Sequence, residues 1–197
     1  DFGSSFTTVS WINPLNGKPE AVKFNGDGSV KLPSAILSSN FGLVFGFQAQ
    51  GYLEDVYKLP IDNRLELLSC FIPSLKRILN AAMTETLGNK DYSHEELLTL
   101  FFKHMLEMAS AHCGHNTHFD SVTFSHPVEF EESKIAIIRK AFSNCGLYIK
   151  EVKYEPLAAV EGYSLEHAIQ ENEGILVFDF GGGTIDVAYV QKRFSTL

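Results

Sequence analysis

Apolar and polar positions divide the chain into three stretches of different period. From Phe6 to Phe47 the pattern is short and β-like. Phe6–Ile12 is rich in β-branched and aromatic residues, Asn13-Pro14-Leu15-Asn16-Gly17 turns the chain, and Glu20–Phe24 supplies a return strand. Asn25-Gly26 and Asp27-Gly28 are tight-turn dipeptides, Val30–Leu37 predicts a third strand with Pro33 favouring an edge, and Leu43–Phe47 is a further extended stretch. The middle changes to helical spacing. Leu68, Phe71, Ile72, Leu75, Leu79 and Ala82 recur at it, with Pro73 set to start or break the helix. Ser93 and Glu96 form a capping box that opens a helix carrying Leu98, Phe101, Phe102, Met105 and Ala109 on one face, and Gly114 stops it. Ser121–Ser125 alternates as a short strand. Glu131–Cys145 is a second amphipathic helix, with Ile135, Ile138, Phe142 and Cys145 on its stripe and Gly146 at its end. Strands and helices then alternate: strand Tyr148–Val152, helix from Pro156 to about Gln170, strand Ile175–Asp179, turn, strand Ile185–Val190. This order predicts a mixed α/β sheet.

A weak internal repeat runs through the pattern. Asp1-Phe2-Gly3-Ser4-Ser5-Phe6-Thr7 parallels Asp179-Phe180-Gly181-Gly182-Gly183-Thr184-Ile185: acid, aromatic, glycine, small residues, then a β-prone run. Its second copy carries the strongest chemical signal. A buried strand, Ile175-Leu176-Val177-Phe178, delivers Asp179 to a sheet end. Gly181, Gly182 and Gly183 let backbone N–H groups approach an anion, Thr184 adds a hydroxyl, and Asp186 a second carboxylate. Acids beside a phosphate-binding loop repel phosphate unless a divalent cation stands between. The pattern therefore predicts Mg²⁺ near Asp179, held largely through water, with phosphates on the loop. The competing reading is a plain glycine-rich hairpin turn; the acids on both sides and the second copy at Asp1 weigh against it.

Composition narrows the classes. The 197 residues suffice for one or two domains, 45% hydrophobic and 20% charged residues are ordinary for a globular chain, and the net charge of −8 argues against a nucleic-acid surface. No apolar run approaches a membrane span, and no basic-then-apolar leader is visible. Cys70, Cys113 and Cys145, odd in number, read as reduced thiols packing as small apolar groups in a cytoplasmic setting. His112, Cys113, His115 and His118 are zinc-ligand types at close spacing, but the paired Cys and His spacing of a zinc site is missing and a helix end suits these residues. Glu129, Glu131 and Glu132 charge the start of a helix. There is no GxxxxGK[ST] and no GxGxxG after a strand, and the Asp-Phe-Gly tripeptides lack every companion motif of a protein kinase.

These residues resemble the nucleotide-binding domain of the heat shock seventy-kilodalton chaperones, in the actin and sugar-kinase superfamily. Asp1-Phe2-Gly3-Ser4-Ser5 is similar to that family's first phosphate loop, and Val177–Val187 to its second. Tyr154-Glu155-Pro156-Leu157-Ala158-Ala159 resembles its Asn-Glu-Pro-Thr-Ala-Ala segment, and His126-Pro127-Val128-Glu129-Phe130 its Val-Pro-Ala-Tyr-Phe. The resemblance implies an α/β, actin-like ATPase (ribonuclease H-like) fold. Residues 1–170 would form the first lobe and 171–197 the start of the second. It implies Mg²⁺ and ATP or ADP as ligands, with hydrolysis coupled to unfolded peptide clients through a separate domain, and J-domain and nucleotide-exchange co-chaperones as partners. Carried over by motif, Gly3, Ser4 and Ser5 belong to the first phosphate loop, and Gly181, Gly182, Gly183 and Thr184 touch phosphate. Asp1 lies near the metal, Glu155 orients water, Asp179 and Asp186 position Mg²⁺ or the nucleophilic water, and Pro127 belongs to an interlobe hinge.

Two departures qualify the resemblance. Gly46-Phe47-Gln48-Ala49-Gln50 stands where the family has Gly-Asp-Ala-Ala and then a catalytic lysine, which puts Gln50 at that position. A neutral amide cannot offset γ-phosphate charge as an ammonium does, which favours a degenerate member that binds nucleotide, hydrolyses little and acts as a co-chaperone. A small-molecule kinase of the same superfamily is the third reading. The chain also starts at Asp1 and stops soon after the second phosphate loop, so it reads as a piece of a nucleotide-binding domain.

Overall fold

The computed structural model describes residues 1–61, 64, 68–114 and 117–193. The first stretch folds into short antiparallel pairs. β1 (Phe6–Thr7) and β2 (Ser10–Ile12) divide the predicted Phe6–Ile12 strand, because the Val9 carbonyl turns aside to accept the Val22 amide at 2.8 Å. β2 pairs with β3 (Pro19–Ala21) across the predicted turn, and β1 with β4 (Leu32–Pro33). β5 (Ile36–Ser39) is flanked by β6 (Gly42–Phe45) and β7 (Phe71–Ile72). Helix α1 (Gly46–Val56) follows β6 directly.

The helical stripe expected from Leu68 to Ala82 is divided by Pro73. The residue before proline is pushed to extended backbone, so Phe71 and Ile72 pair with Leu37 and Ile36 instead. Only the short helix α2 (Leu75–Ile78) forms beyond it. β8 (Thr84–Leu87) and β9 (Lys90–Ser93) make a hairpin that feeds α3 (His94–Cys113). The predicted capping box is present: Ser93 Oγ accepts the Glu96 amide at 3.1 Å and Glu96 Oε2 accepts the Ser93 amide at 2.8 Å.

A βαβ unit completes the frame: β10 (Ser121–His126), α4 (Glu132–Asn144) and β11 (Tyr148–Tyr154), the two strands parallel. α5 (Glu155–Ser164) then leads to the antiparallel hairpin β12 (Gly174–Phe180) and β13 (Ile185–Gln191). α5 stops six residues short of the predicted Gln170; Gly162 weakens its last turn and none of its residues is buried to hold it. Mixed α/β structure is thus present, but among the described residues the strands form several small sheets rather than one.

The core lies between α3 and α4. Leu97, Leu98, Phe101, Phe102 and Met105 meet Ile135, Ile138, Ala141 and Phe142, with Phe102 and Phe142 stacked at 4.1 Å and 11°. Full burial of such a side chain stabilises by about 1.5–3 kcal/mol. Phe2 enters the same core at 5% exposure, edge-on to Phe102 at 5.7 Å. β12 departs from the expected buried strand. Among the described residues it pairs only with β13 and is covered on one face by α5, so Leu176, Phe178 and Phe180, with Ile185, Val187 and Tyr189 opposite them, are exposed. No helix among the described residues is long and apolar enough to cross a membrane.

Candidate functional site

Two four-residue turns face each other across a cleft. In the first, the Gly3 amide donates to Phe6 O at 3.0 Å, Phe2 bridges Thr7, and the Thr8 amide donates to Asp1 O at 2.9 Å. In the second, the Gly181 amide donates to Thr184 O at 3.0 Å, Phe180 pairs with Ile185, and Asp179 with Asp186. Position by position, the sequence repeat is a repeat of hydrogen bonding: Asp1 matches Asp179, Gly3 matches Gly181, and Thr8 matches Asp186.

The turns touch. A Cβ on Gly182 would fall on the Ser5 side chain, and one on Gly183 on the Arg77 guanidinium. Glycine is needed here for close approach, because neither residue has a left-handed φ. The cleft between the turns has a volume of about 740 Å³, within the range of small-molecule sites. Of the residues that the family resemblance assigns to the nucleotide site, all but Gln50 and Gly183 line it.

Glu155 opens α5, where the helix dipole favours a carboxylate. It is 3.0 Å from Lys76 Nζ, and the two side chains are only 13% and 12% exposed. The same ammonium lies 5.5 Å from the centre of the Phe130 ring. Lys76 corrects the reading of Gln50. Gln50 is exposed on α1, whose buried residues Gly46, Ala49 and Val56 face the small sheets, and it does not line the cleft. The cation comes from α2 instead. Sequence reasoning passed over Lys76 and Arg77 because a helical stripe interrupted by Pro73 drew attention to its apolar positions. The usable signal was two adjacent cations between Leu75 and Leu79.

Asp179 and Asp186 stand directly opposite on β12 and β13, both exposed, and Thr184 Oγ1 donates to Asp186 Oδ2 at 3.2 Å. Like charges opposite one another destabilise a hairpin, so this pair is an arrangement that a cation relieves. Among the described residues no three His, Cys, Asp or Glu side chains gather as a metal cage. One or two carboxylates with water and phosphate completing the shell is the usual way Mg²⁺ is held, and the donor set fits that mode. Pro127 also lines the cleft; its carbonyl accepts His126 Nδ1–H at 2.7 Å and the Phe130 amide at 3.1 Å. Lys31, Lys76, Arg77 and Lys134 face Asp1, Glu129, Glu155, Asp179 and Asp186 around the cleft, so both signs of charge are present.

The histidine cluster forms no metal centre among the described residues, and His115 and Asn116 lie outside them. His118 pairs with Asp120 at 3.2 Å, and burial raises the Cys113 thiol above its ordinary value, which disfavours the thiolate a metal would need.

Comparison with known proteins gives a consistent set of relatives. The family model described as Hsp70 protein matches residues 60–193. Chaperone protein DnaK of Metamycoplasma hominis is 29% identical over 196 residues, covering all of this chain and 30% of its own. Chaperone protein DnaK of Mycoplasmopsis agalactiae is 27% identical with the same coverage. That of Ureaplasma parvum is 28% identical over 190 residues, covering 96% of this chain and 29% of its own. The chain spans about 30% of the length of these curated relatives.

Proposed function

The chain belongs to the Hsp70 family, and on that footing we propose that it forms the phosphate-gripping part of a Mg-ATP site in a DnaK-type chaperone ATPase. The observation that carries this reading is the pair of hydrogen-bond-matched turns, one on each side of a cleft that also holds carboxylates and the Lys76–Glu155 ion pair. In this reading the fold is the actin-like (ribonuclease H-like) type, with residues 1–170 in the first lobe and 171–197 beginning the second.

Phosphoryl transfer asks a protein mainly for positioning and charge neutralisation. Here the amides of Gly182 and Gly183 with the hydroxyls of Ser4 and Ser5, and that of Thr184 once turned from Asp186, would hold phosphate oxygens, while the Gly3 and Gly181 amides close the two turns on Phe6 O and Thr184 O. Asp1, Asp179 and Asp186 would hold Mg²⁺ through its water, and the bound ion would supply charge neutralisation of the phosphates. Glu155, fixed by Lys76, would orient a water molecule, and Lys76 would stand nearest to it as the cation. Pro127, at the end of β10 and beside Glu155, suits a hinge that reports on the site. The ATPase activity, peptide clients, J-domain and nucleotide-exchange partners, and a cytoplasmic setting are properties proposed for the whole protein. Lys76 supports an active ATPase over a degenerate co-chaperone, because that alternative rested on Gln50.

Calorimetric titration of this chain with Mg-ADP and Mg-ATP tests the proposal, with Asp179→Asn as the control. Binding that the control weakens at least tenfold is expected. Binding unchanged in the control would remove the second turn from the site. In the complete protein, Lys76→Met is expected to abolish single-turnover hydrolysis while Gln50→Lys leaves it unchanged.

A further inference from the structure

Lys76 and Arg77 are neighbours on the single turn of α2, yet they reach opposite parts of the cleft. Lys76 goes to Glu155, whereas Arg77 Nη2 donates to the backbone carbonyl of Gly182 at 3.4 Å, 105 residues along the chain. Gly183 must lack a side chain for that guanidinium to lie where it does. The bond is long and its acceptor is neutral. No carboxylate pairs with Arg77 among the described residues, although five line the same cleft. Of the other cleft cations, Lys76 is held by Glu155, Lys134 pairs with Glu131 at 3.1 Å, and Lys31 is an exposed residue far from α2 in sequence. Arg77 is therefore a planar, permanently charged fork resting beside the amide-rich second turn on a weak acceptor that phosphate oxygens would readily outcompete.

Resting on the nucleotide-site reading above, we propose that Arg77 is a specificity-determining residue. It leaves the Gly182 carbonyl for the phosphate chain of the bound nucleotide and favours the ligand that carries the additional terminal phosphate. A triphosphate offers the guanidinium more charge and more oxygens than a diphosphate, while the amides of the turns serve both. Arg77 thus sets the ratio of Mg-ATP to Mg-ADP affinity, and Lys76 remains committed to Glu155 throughout.

The test measures dissociation constants of Mg-ATP and Mg-ADP for the unaltered chain, Arg77→Gln and Arg77→Lys. Loss of a charge-assisted hydrogen bond at an exposed site predicts about a tenfold loss of Mg-ATP affinity in Arg77→Gln, with Mg-ADP changed by about twofold or less. Arg77→Lys restores part of the loss, since the charge returns without the fork. Equal weakening of both nucleotides, or no change in either, overturns the proposal while leaving the nucleotide site standing. If the unaltered chain binds neither nucleotide, both readings fall for this chain. Far-ultraviolet circular dichroism of each variant separates misfolding from lost contacts, and a folded Arg77→Lys with an unaltered ratio also counts against the fork.

Discussion

Phe2 and Phe180 occupy matching places in the two turns, each just before the first glycine, so one substitution made twice separates the two halves of the cleft. Phe2 is 5% exposed and packs on Phe101 at 6.3 Å and Phe102 at 5.7 Å; Phe180 is 80% exposed. Truncating a buried phenylalanine to alanine costs about 3–5 kcal/mol, from lost transfer energy and the cavity left behind. The low end of that range, about 3 kcal/mol, is the value to expect. An exposed site changes stability by roughly 0.5 kcal/mol or less. For a chain of this length each kcal/mol moves the melting temperature by about 2–4 °C. Phe2→Ala should therefore lower it by about 6–12 °C, and Phe180→Ala by no more than about 2 °C. Thermal unfolding of the unaltered chain and both variants, followed by circular dichroism at one concentration, gives the comparison. Equal shifts would refute the assignment of Phe2 alone to the core, and so would a Phe2→Ala shift below about 3 °C.

Two further outcomes follow from contacts already described. Gly182→Ala places a methyl group on Ser5, an overpacking of about 1–3 kcal/mol, and should lower the melting temperature and weaken Mg-ADP binding by roughly tenfold; adding Ser5→Gly should restore the melting temperature but not the phosphate contact of the lost hydroxyl, and failure of that stability rescue would show the collision is not the cause. His104 stacks on Phe45 at 5.4 Å, and burial holds its pKa below the ordinary histidine value against a smaller opposing effect of Glu107. The folded state then binds fewer protons than the unfolded state, so His104 costs nothing above the unfolded pKa, and stability is lost as pH falls below it. The fall in melting temperature between pH 7.5 and 5.5 should be smaller in His104→Gln, and an identical fall would remove His104 from the explanation.

Legibility in the sequence followed the range of the forces involved. Ser93 and Glu96 are three residues apart and satisfy each other, so the start of α3 could be seen without the fold. The stripe of Phe101, Phe102 and Met105 likewise declares its own face. The paired turns were visible because each is a local hydrogen-bonded unit written twice. Lys76 was not visible, since its importance is a contact with Glu155 79 residues away, and Pro73 had disguised its helix. Gln50 illustrates the opposite error, in which a short matching segment suggested a role and burial of Ala49 and Val56 turned the residue outward. The alternation of Ile175, Leu176, Val177 and Phe178 between two apolar side chains per face concealed that one face of β12 would be open.

The matched turns also bear on the direction in which a ligand can lie. Their backbones present the same amide pattern from both sides, so the backbone alone would accept a polyphosphate in either orientation. Only the residues that break the repeat distinguish its two ends. Hydroxyls stand at Ser4 and Ser5 where the second turn has bare Gly182 and Gly183, and Asp1 faces Thr8 where Asp179 faces a second acid, Asp186. On the proposed nucleotide-site reading, the polarity of a bound polyphosphate would therefore come from the side chains that break the repeat, Ser4 and Ser5 in the first turn and Thr184 and Asp186 in the second, laid over a nearly symmetric backbone.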